Sequence, residues 1–133
     1  MREFYTIGAN FFQSNLNRGE SYENLQKTII ILIADFELKE LKNLDYFSSW
    51  KIIEENYRKT ILTEKFQLYI IELPKINNLL TVDGELLDWL FFLVNPNSER
   101  VIEKMKNNEA LKQASEKLDT LSHDERMSRL AEL

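Results

Sequence analysis

The stretch Thr28-Ile29-Ile30-Ile31-Leu32-Ile33-Ala34-Asp35-Phe36 decides how this chain is read. It is apolar at successive positions, rich in β-branched residues, and gives way at once to charged sequence. Such a run predicts a strand buried on both faces, as found inside a parallel or mixed sheet with helices over it. The strands this chain can place around the run are too few to cover it. That mismatch leads to the expectation that the chain is part of a larger fold.

Upstream, Arg2–Asn17 reads as a helix, with Phe4, Ile7, Gly8, Phe11 and Phe12 on one side and Tyr5 and Leu16 extending the stripe. Gly19 suits the left-handed position after its end, and Glu20–Gln26 is a connector. Downstream, Asp35–Asp45 is charged and irregular. Ser49–Asn56 then alternates, Trp50 and Ile52 against Lys51, Ile53 and Glu55, as a half-exposed strand does. Lys65–Leu73 carries apolar residues on both faces and is stopped by Pro74. These two strands are expected to form a hairpin through Tyr57–Glu64.

The remainder reads as helical. Gly84–Val94 is apolar nearly all round and is expected to be deeply buried. Asn95-Pro96-Asn97-Ser98 breaks the chain before a short helix through Val101, Ile102 and Met105. Leu111, Ala114, Leu118 and Leu121 form a narrow apolar seam. Ser122 and Glu125 have the spacing of a capping box, predicting a final helix that starts there. The expected fold is α/β (α+β), a small mixed sheet of about three strands with a packed N-terminal helix and a C-terminal helical subdomain. The expected division falls between residues 1–94 and 95–133.

The 133 residues fit one domain with a core, and an apolar share of 44% is ordinary for a globular protein. No secretory leader is read at Met1-Arg2-Glu3, and no apolar run is long enough to span a bilayer. With no cysteine, disulfides and thiolate metal sites are excluded, and a cytoplasmic location is expected. The net charge is −5, and Lys and Arg are scattered among acids. Binding to DNA is therefore expected to be weak, and no membrane partner is expected.

Catalytic chemistry has few places to reside. The sole histidine, His123, lies at an expected helix start and reads as a solvated or capping residue. Three glycines supply no phosphate-binding loop. Metal-dependent nucleases hold Mg²⁺ with strand-borne acids and a nearby lysine. Glu37-Leu38-Lys39, just after Asp35, has an E-x-K spacing that would put both side chains on one side of a strand. Asp35, Glu37 and Lys39 therefore form the candidate metal and catalytic set. The competing reading, a solvated charged loop, is favoured, because no strand is expected before Thr28 to contribute the further acid. Asp83, Glu85 and Asp88 read as acids favourable to a helix N-terminus. The seam Leu111–Leu121 could receive a partner helix, but intramolecular packing is the preferred reading.

The order of segments resembles a known family. A helix running into Leu16-Asn17-Arg18-Gly19-Glu20 with Tyr22 precedes the strand ending in Asp35-Phe36. Ile71-Glu72-Leu73-Pro74-Lys75 and Trp89-Leu90-Phe91-Phe92-Leu93 come later in the chain. This is similar to the C-terminal portion of the PD-(D/E)XK nuclease family transposases, also called recombination-promoting nucleases, and the likeness covers nearly the whole chain. It implies a partial restriction-endonuclease-like fold. The family's catalytic acids precede the first helix, so the resemblance carries no catalytic residue onto this sequence. It carries over structural positions at Gly19, Tyr22, Asp35, Phe36, Glu72, Pro74, Lys75 and Trp89, with Asp35 capping a strand end and Glu72 pairing near the sheet edge. The resemblance implies a truncated member lacking catalytic activity, DNA-associated or acting in assembly. The alternatives are a module forming homo-oligomers, or mixed oligomers with full-length family members, and a metal-dependent DNA endonuclease. No cofactor is expected, Mg²⁺ entering only with the endonuclease reading.

Overall fold

The computed structural model describes residues 4–5 and 24–132. It divides into two compact units, Met1–Asn78 and Leu79–Leu133. The fold is α+β. The first unit carries a mixed sheet of β1 (Phe4–Tyr5), β2 (Thr28–Ala34), β3 (Phe47–Trp50) and β4 (Phe66–Glu72), in the spatial order β1-β2-β4-β3. The second carries α1 (Glu85–Val94), α2 (Glu99–Met105) and α3 (Glu109–Ala131).

The apolar run forms β2 and pairs along its whole length with β4 in parallel, from Thr28 opposite Phe66 to Ala34 opposite Glu72. β1 adds antiparallel pairing at the other side, Phe4 with Ala34 and Tyr5 with Ile33. This corrects two expectations. A strand does precede Thr28, and Phe4 and Tyr5 lie in it rather than in a helix. A helical stripe and a short aromatic strand are indistinguishable over two residues, and pairing with the end of β2 decides between them. The rest of the expected N-terminal helix, with Gly19 and Tyr22, lies outside the described residues.

β2 is buried on one face only at its start: Thr28 and Ile30 are 5% and 6% exposed, Ile29 and Ile31 47% and 48%. The run reads as a strand apolar on both faces that the available strands are too few to cover, and Ile29 and Ile31 are the residues left exposed at its start. Its composition licenses double burial, but only packing partners can provide it. On the covered face Ile30 and Ala34 are joined by buried Glu72, which lies opposite Ala34; Ile71, opposite Ile33 on the other face, is buried as well, as are Leu25, Leu41 and Ile76.

β4 lies between β2 and β3, so the chain leaving β2 must pass the end of β4 before entering β3. It does so through residues 35–46, which contain a 3₁₀ turn at Lys39–Leu41. The expected hairpin of β3 and β4 is present, with Phe47 opposite Ile71 and Trp50 opposite Leu68. β3 is shorter than the alternation predicts. Beyond Trp50 the ladder is interrupted and resumes at Ile53 opposite Ile61. There Leu62 N–H donates to Ile52 O at 2.9 Å and Glu54 N–H to Thr60 O at 3.0 Å. Residues 51–52 then face the much longer 62–67, so continuous pairing is impossible. β4 ends at Glu72, and Pro74 is accommodated in a 3₁₀ helix, Leu73–Leu79.

In the second unit, α1 is less buried than its composition suggests. Leu87, Asp88, Leu90 and Phe91 are buried, while Leu86, Leu93 and Val94 are exposed. Ser98 caps α2 by accepting from Val101 N–H at 3.4 Å, and Asn108 caps α3 by accepting from Leu111 N–H at 3.0 Å. α3 runs unbroken through Ser122, so the expected helix start there is not a start. Nothing between Glu109 and Ala131 is glycine or proline, and a capping spacing inside a continuing helix is only an i, i+3 pair. Of the seam, Leu111 is buried, whereas Leu118 and Leu121 are exposed. No helix among the described residues is long and apolar enough to cross a membrane.

Ile76 is fully buried at the 3₁₀ helix following β4. Ile76→Ala is expected to cost about 2–5 kcal/mol through the lost apolar contacts and the cavity left behind. Urea unfolding would show this as a lower midpoint with an unchanged slope.

Candidate functional site

Asp35 and Phe36 lie in the bend that leaves β2, Glu37 in the extended link after it, and Lys39 at the start of the 3₁₀ turn. Asp35, Glu37 and Lys39 are exposed. The side-sharing of an E-x-K pair belongs to strand geometry, and these residues lie beyond the last residue of β2.

Glu72 is different. It ends an inner strand, not an edge strand, and is 1% exposed. Its Oε2 accepts from Leu38 N–H at 2.8 Å, and its Oε1 accepts from Lys75 Nζ at 2.7 Å. Lys75 Nζ also donates to the carbonyls of Leu41 at 2.6 Å and Leu44 at 2.9 Å. Glu72 N–H donates to Tyr46 O at 2.9 Å. The pair therefore ties residues 38–46 to the end of β4. A buried carboxylate is tolerable because both its oxygens and the ammonium opposite are supplied with partners. This is the role of the Ile71–Lys75 segment: its charged residues hold the chain crossing above it.

The second unit repeats the principle with an arginine. Asp88 Oδ1 accepts from Arg100 Nη2 at 2.8 Å and Nε at 3.2 Å, with both side chains nearly buried. Arg100 Nη1 donates to Leu80 O at 2.7 Å and Leu79 O at 3.1 Å, and the guanidinium lies 4.6 Å from the Phe91 ring centre. Trp89 packs edge-on against Phe92, ring centres 5.9 Å apart. Asp88 thus has a partner beyond the helix terminus to which its sequence position assigned it. A readable signal existed: in α1 every residue except Glu85 and Asp88 is apolar, and a carboxylate on the buried side of such a helix requires a counter-charge.

Next to this pair, Asp83 Oδ1 accepts from Lys104 Nζ at 2.8 Å. The ammonium holds Asp83 below the usual carboxylate range, first by hydrogen bonding and then by charge attraction. Reciprocally, Asp83 raises Lys104. Both border a cleft of about 630 Å³, whose lining also includes Thr81, Ser98, Arg100 and Glu103. Acids and bases are interleaved in it, so it presents no single sign of charge. A smaller cavity of about 230 Å³ in the connection between β3 and β4 is lined by Ile52, Ile53, Glu54, Thr60 and Leu62. His123 lies within α3 instead of at a helix start, beside Asp119, Ser122 and Arg126.

A divalent cation requires several oxygen ligands converging on one point. Among the described residues no group of three or more His, Asp or Glu side chains could hold one. The buried carboxylate nearest the family-like motif, Glu72, has both oxygens engaged by protein donors. The described residues therefore do not fit a Mg²⁺ site.

A family model described as PD-(D/E)XK nuclease family transposase matches residues 4–132. No curated protein and no solved structure matches the chain.

Glu72→Ala is expected to destabilise the protein by about 3–5 kcal/mol, since it leaves Lys75 buried without its carboxylate and Leu38 N–H without an acceptor. Urea unfolding measures it. Asp83 is expected to titrate below an ordinary aspartate in carboxyl NMR, and Lys104→Met to move its midpoint up. Its depressed folded value means that its contribution to stability is present above the unfolded pKa and is lost as pH falls through the folded one. Raised Lys104 contributes below its unfolded pKa, and that contribution is lost as pH rises through its folded value.

Proposed function

Since the chain belongs to the PD-(D/E)XK nuclease family transposases, we propose that it works as a non-cleaving assembly module of that family, binding protein chains through the hairpin side of its sheet. The observation that carries this reading is the exposed apolar surface of the β3–β4 hairpin. Trp50, Ile52, Ile53 and Ile61 are exposed, and Tyr57 and Leu62 are 73% and 72% exposed. Scattered exposed apolar residues are ordinary, but here several fall on one hairpin, among exposed Lys51, Glu54, Glu55, Arg58 and Lys59, a mixture suited to protein contact. The carboxylates of Glu72 and Asp88 support the non-cleaving part of the reading, because both serve to hold the fold.

Two measurements on the purified full chain test the proposal. Light scattering is expected to give a defined oligomer. Incubation with supercoiled plasmid and Mg²⁺ is expected to leave the plasmid intact. Metal-dependent nicking that disappears in Glu37→Ala would instead establish the endonuclease reading. DNA affinity that falls steeply with salt in a monomeric protein would replace assembly by DNA association.

A further inference from the structure

The hairpin side of the sheet ends in an edge whose geometry selects one occupant. β3 is the outermost strand beyond β4. Its sequence, Phe47-Ser48-Ser49-Trp50, is short but contains no charge and no proline, two of the devices that protect a free edge. Glu72 N–H donates to Tyr46 O, which fixes the phase of the ladder. With the pairing of Ser48 to Ile70 and Trp50 to Leu68, the backbone groups of Tyr46, Ser48 and Trp50 face β4. Those of Phe47 and Ser49 therefore face outward. Among the described residues nothing hydrogen-bonds to them, and both residues are exposed.

We propose that this edge pairs antiparallel with β3 of a second copy of the chain, about a two-fold axis at Ser48, giving one sheet continuous across the dimer. This rests on the assembly reading above. A two-fold that joins two edges runs perpendicular to the sheet and keeps each face on its own side. Opposed residues must then share a face, so the axis passes through a residue. With Ser48 on the axis, Phe47 lies opposite Ser49 of the second copy, and the two exchange their outward N–H and C=O groups. Asp45, just before the strand, comes opposite Lys51 of the second copy, just after it, and symmetry repeats the pair. Tyr46 comes opposite Trp50 of the second copy, a cross-strand aromatic pair. With Phe47 on the axis, Asp45 would meet Ser49. With Ser49 on the axis, Phe47 would meet Lys51. Of these registers, only the one centred on Ser48 joins opposite charges. Asp45 and Lys51 are both exposed, and among the described residues Lys51 makes a loose 3.8 Å contact with Glu64.

The test uses the full chain, with dissociation followed by light scattering and sedimentation. The wild type is expected to dimerise. Asp45→Lys alone and Lys51→Asp alone each place like charges opposite one another twice and are expected to weaken the dimer by about tenfold or more. The double variant is expected to restore it. An equimolar mixture of the two single variants is expected to form a heterodimer more readily than either associates with itself. Ser49→Pro removes an outward N–H and leaves the β4 ladder intact, so a folded monomer by circular dichroism is expected. Hydrogen exchange should show Phe47 and Ser49 amides protected at high protein concentration and open at low. A wild-type dimer that ignores every charge variant would overturn the register and leave the assembly reading standing. A wild type that stays monomeric would overturn both.

Discussion

The first unit depends on what happens above the end of β4. Because β4 is inserted between β2 and β3, the chain from β2 to β3 has to cross that strand end, and such a crossing has no ladder of its own to hold it. Glu72 and Lys75 provide the hold, one carboxylate and one ammonium reaching Leu38, Leu41 and Leu44. Without them the amide and carbonyl groups of this stretch would need other partners close to a buried surface, where unpaired polar groups are costly. Lys75 lies in the 3₁₀ helix that carries buried Ile76. The charged residues in a family-like segment thus serve topology, and this is why a carboxylate and a lysine three residues apart need not signal chemistry.

The second unit solves a similar problem at its own scale. α2 is only seven residues long and could not stand alone. Arg100 fixes it by answering Asp88 on α1 and the two carbonyls of Leu79 and Leu80, while its flat face rests on Phe91. Arginine suits this place because its planar fork can serve a carboxylate and carbonyls at once, which an ammonium cannot do with the same directionality. Most of α3 beyond Leu111 is exposed, and its helicity rests on local terms such as the Asn108 cap and the Glu125–Arg129 pair at 2.7 Å.

These closed charge pairs bear on function. A catalytic carboxylate must keep at least one oxygen available to metal or substrate, whereas Glu72 has neither available. Among the described residues of the first unit, the open surface combines exposed charges such as Asp35, Glu37, Asp45, Lys51 and Glu64 with the apolar residues of the hairpin and the outer backbone of β3.

Much of the architecture was legible in the residues. β2 was bounded residue by residue by its β-branched run, β4 by its apolar faces and the proline beyond it, and α2 by the break at Asn95–Ser98. Local physics suffices for these because backbone preference and side-chain period agree. Other features were not local. Phe4 and Tyr5 could be assigned to a strand only by the neighbour they pair with. Ile29 and Ile31 have the same composition as Ile30 and differ in burial because one face of the sheet is covered at that end. The capping spacing at Ser122 is overridden by a helix with nothing to stop it. Glu72, Lys75, Asp88 and Arg100 were visible as residues but not as partners, since 34 positions separate Leu38 from Glu72 and 12 separate Asp88 from Arg100. The sequence by itself determined which segments could be strand or helix and the family to which they belong. Only the tertiary structure decided which charges were closed into pairs and which edge was left open, because both depend on groups distant along the chain being brought within hydrogen-bond reach.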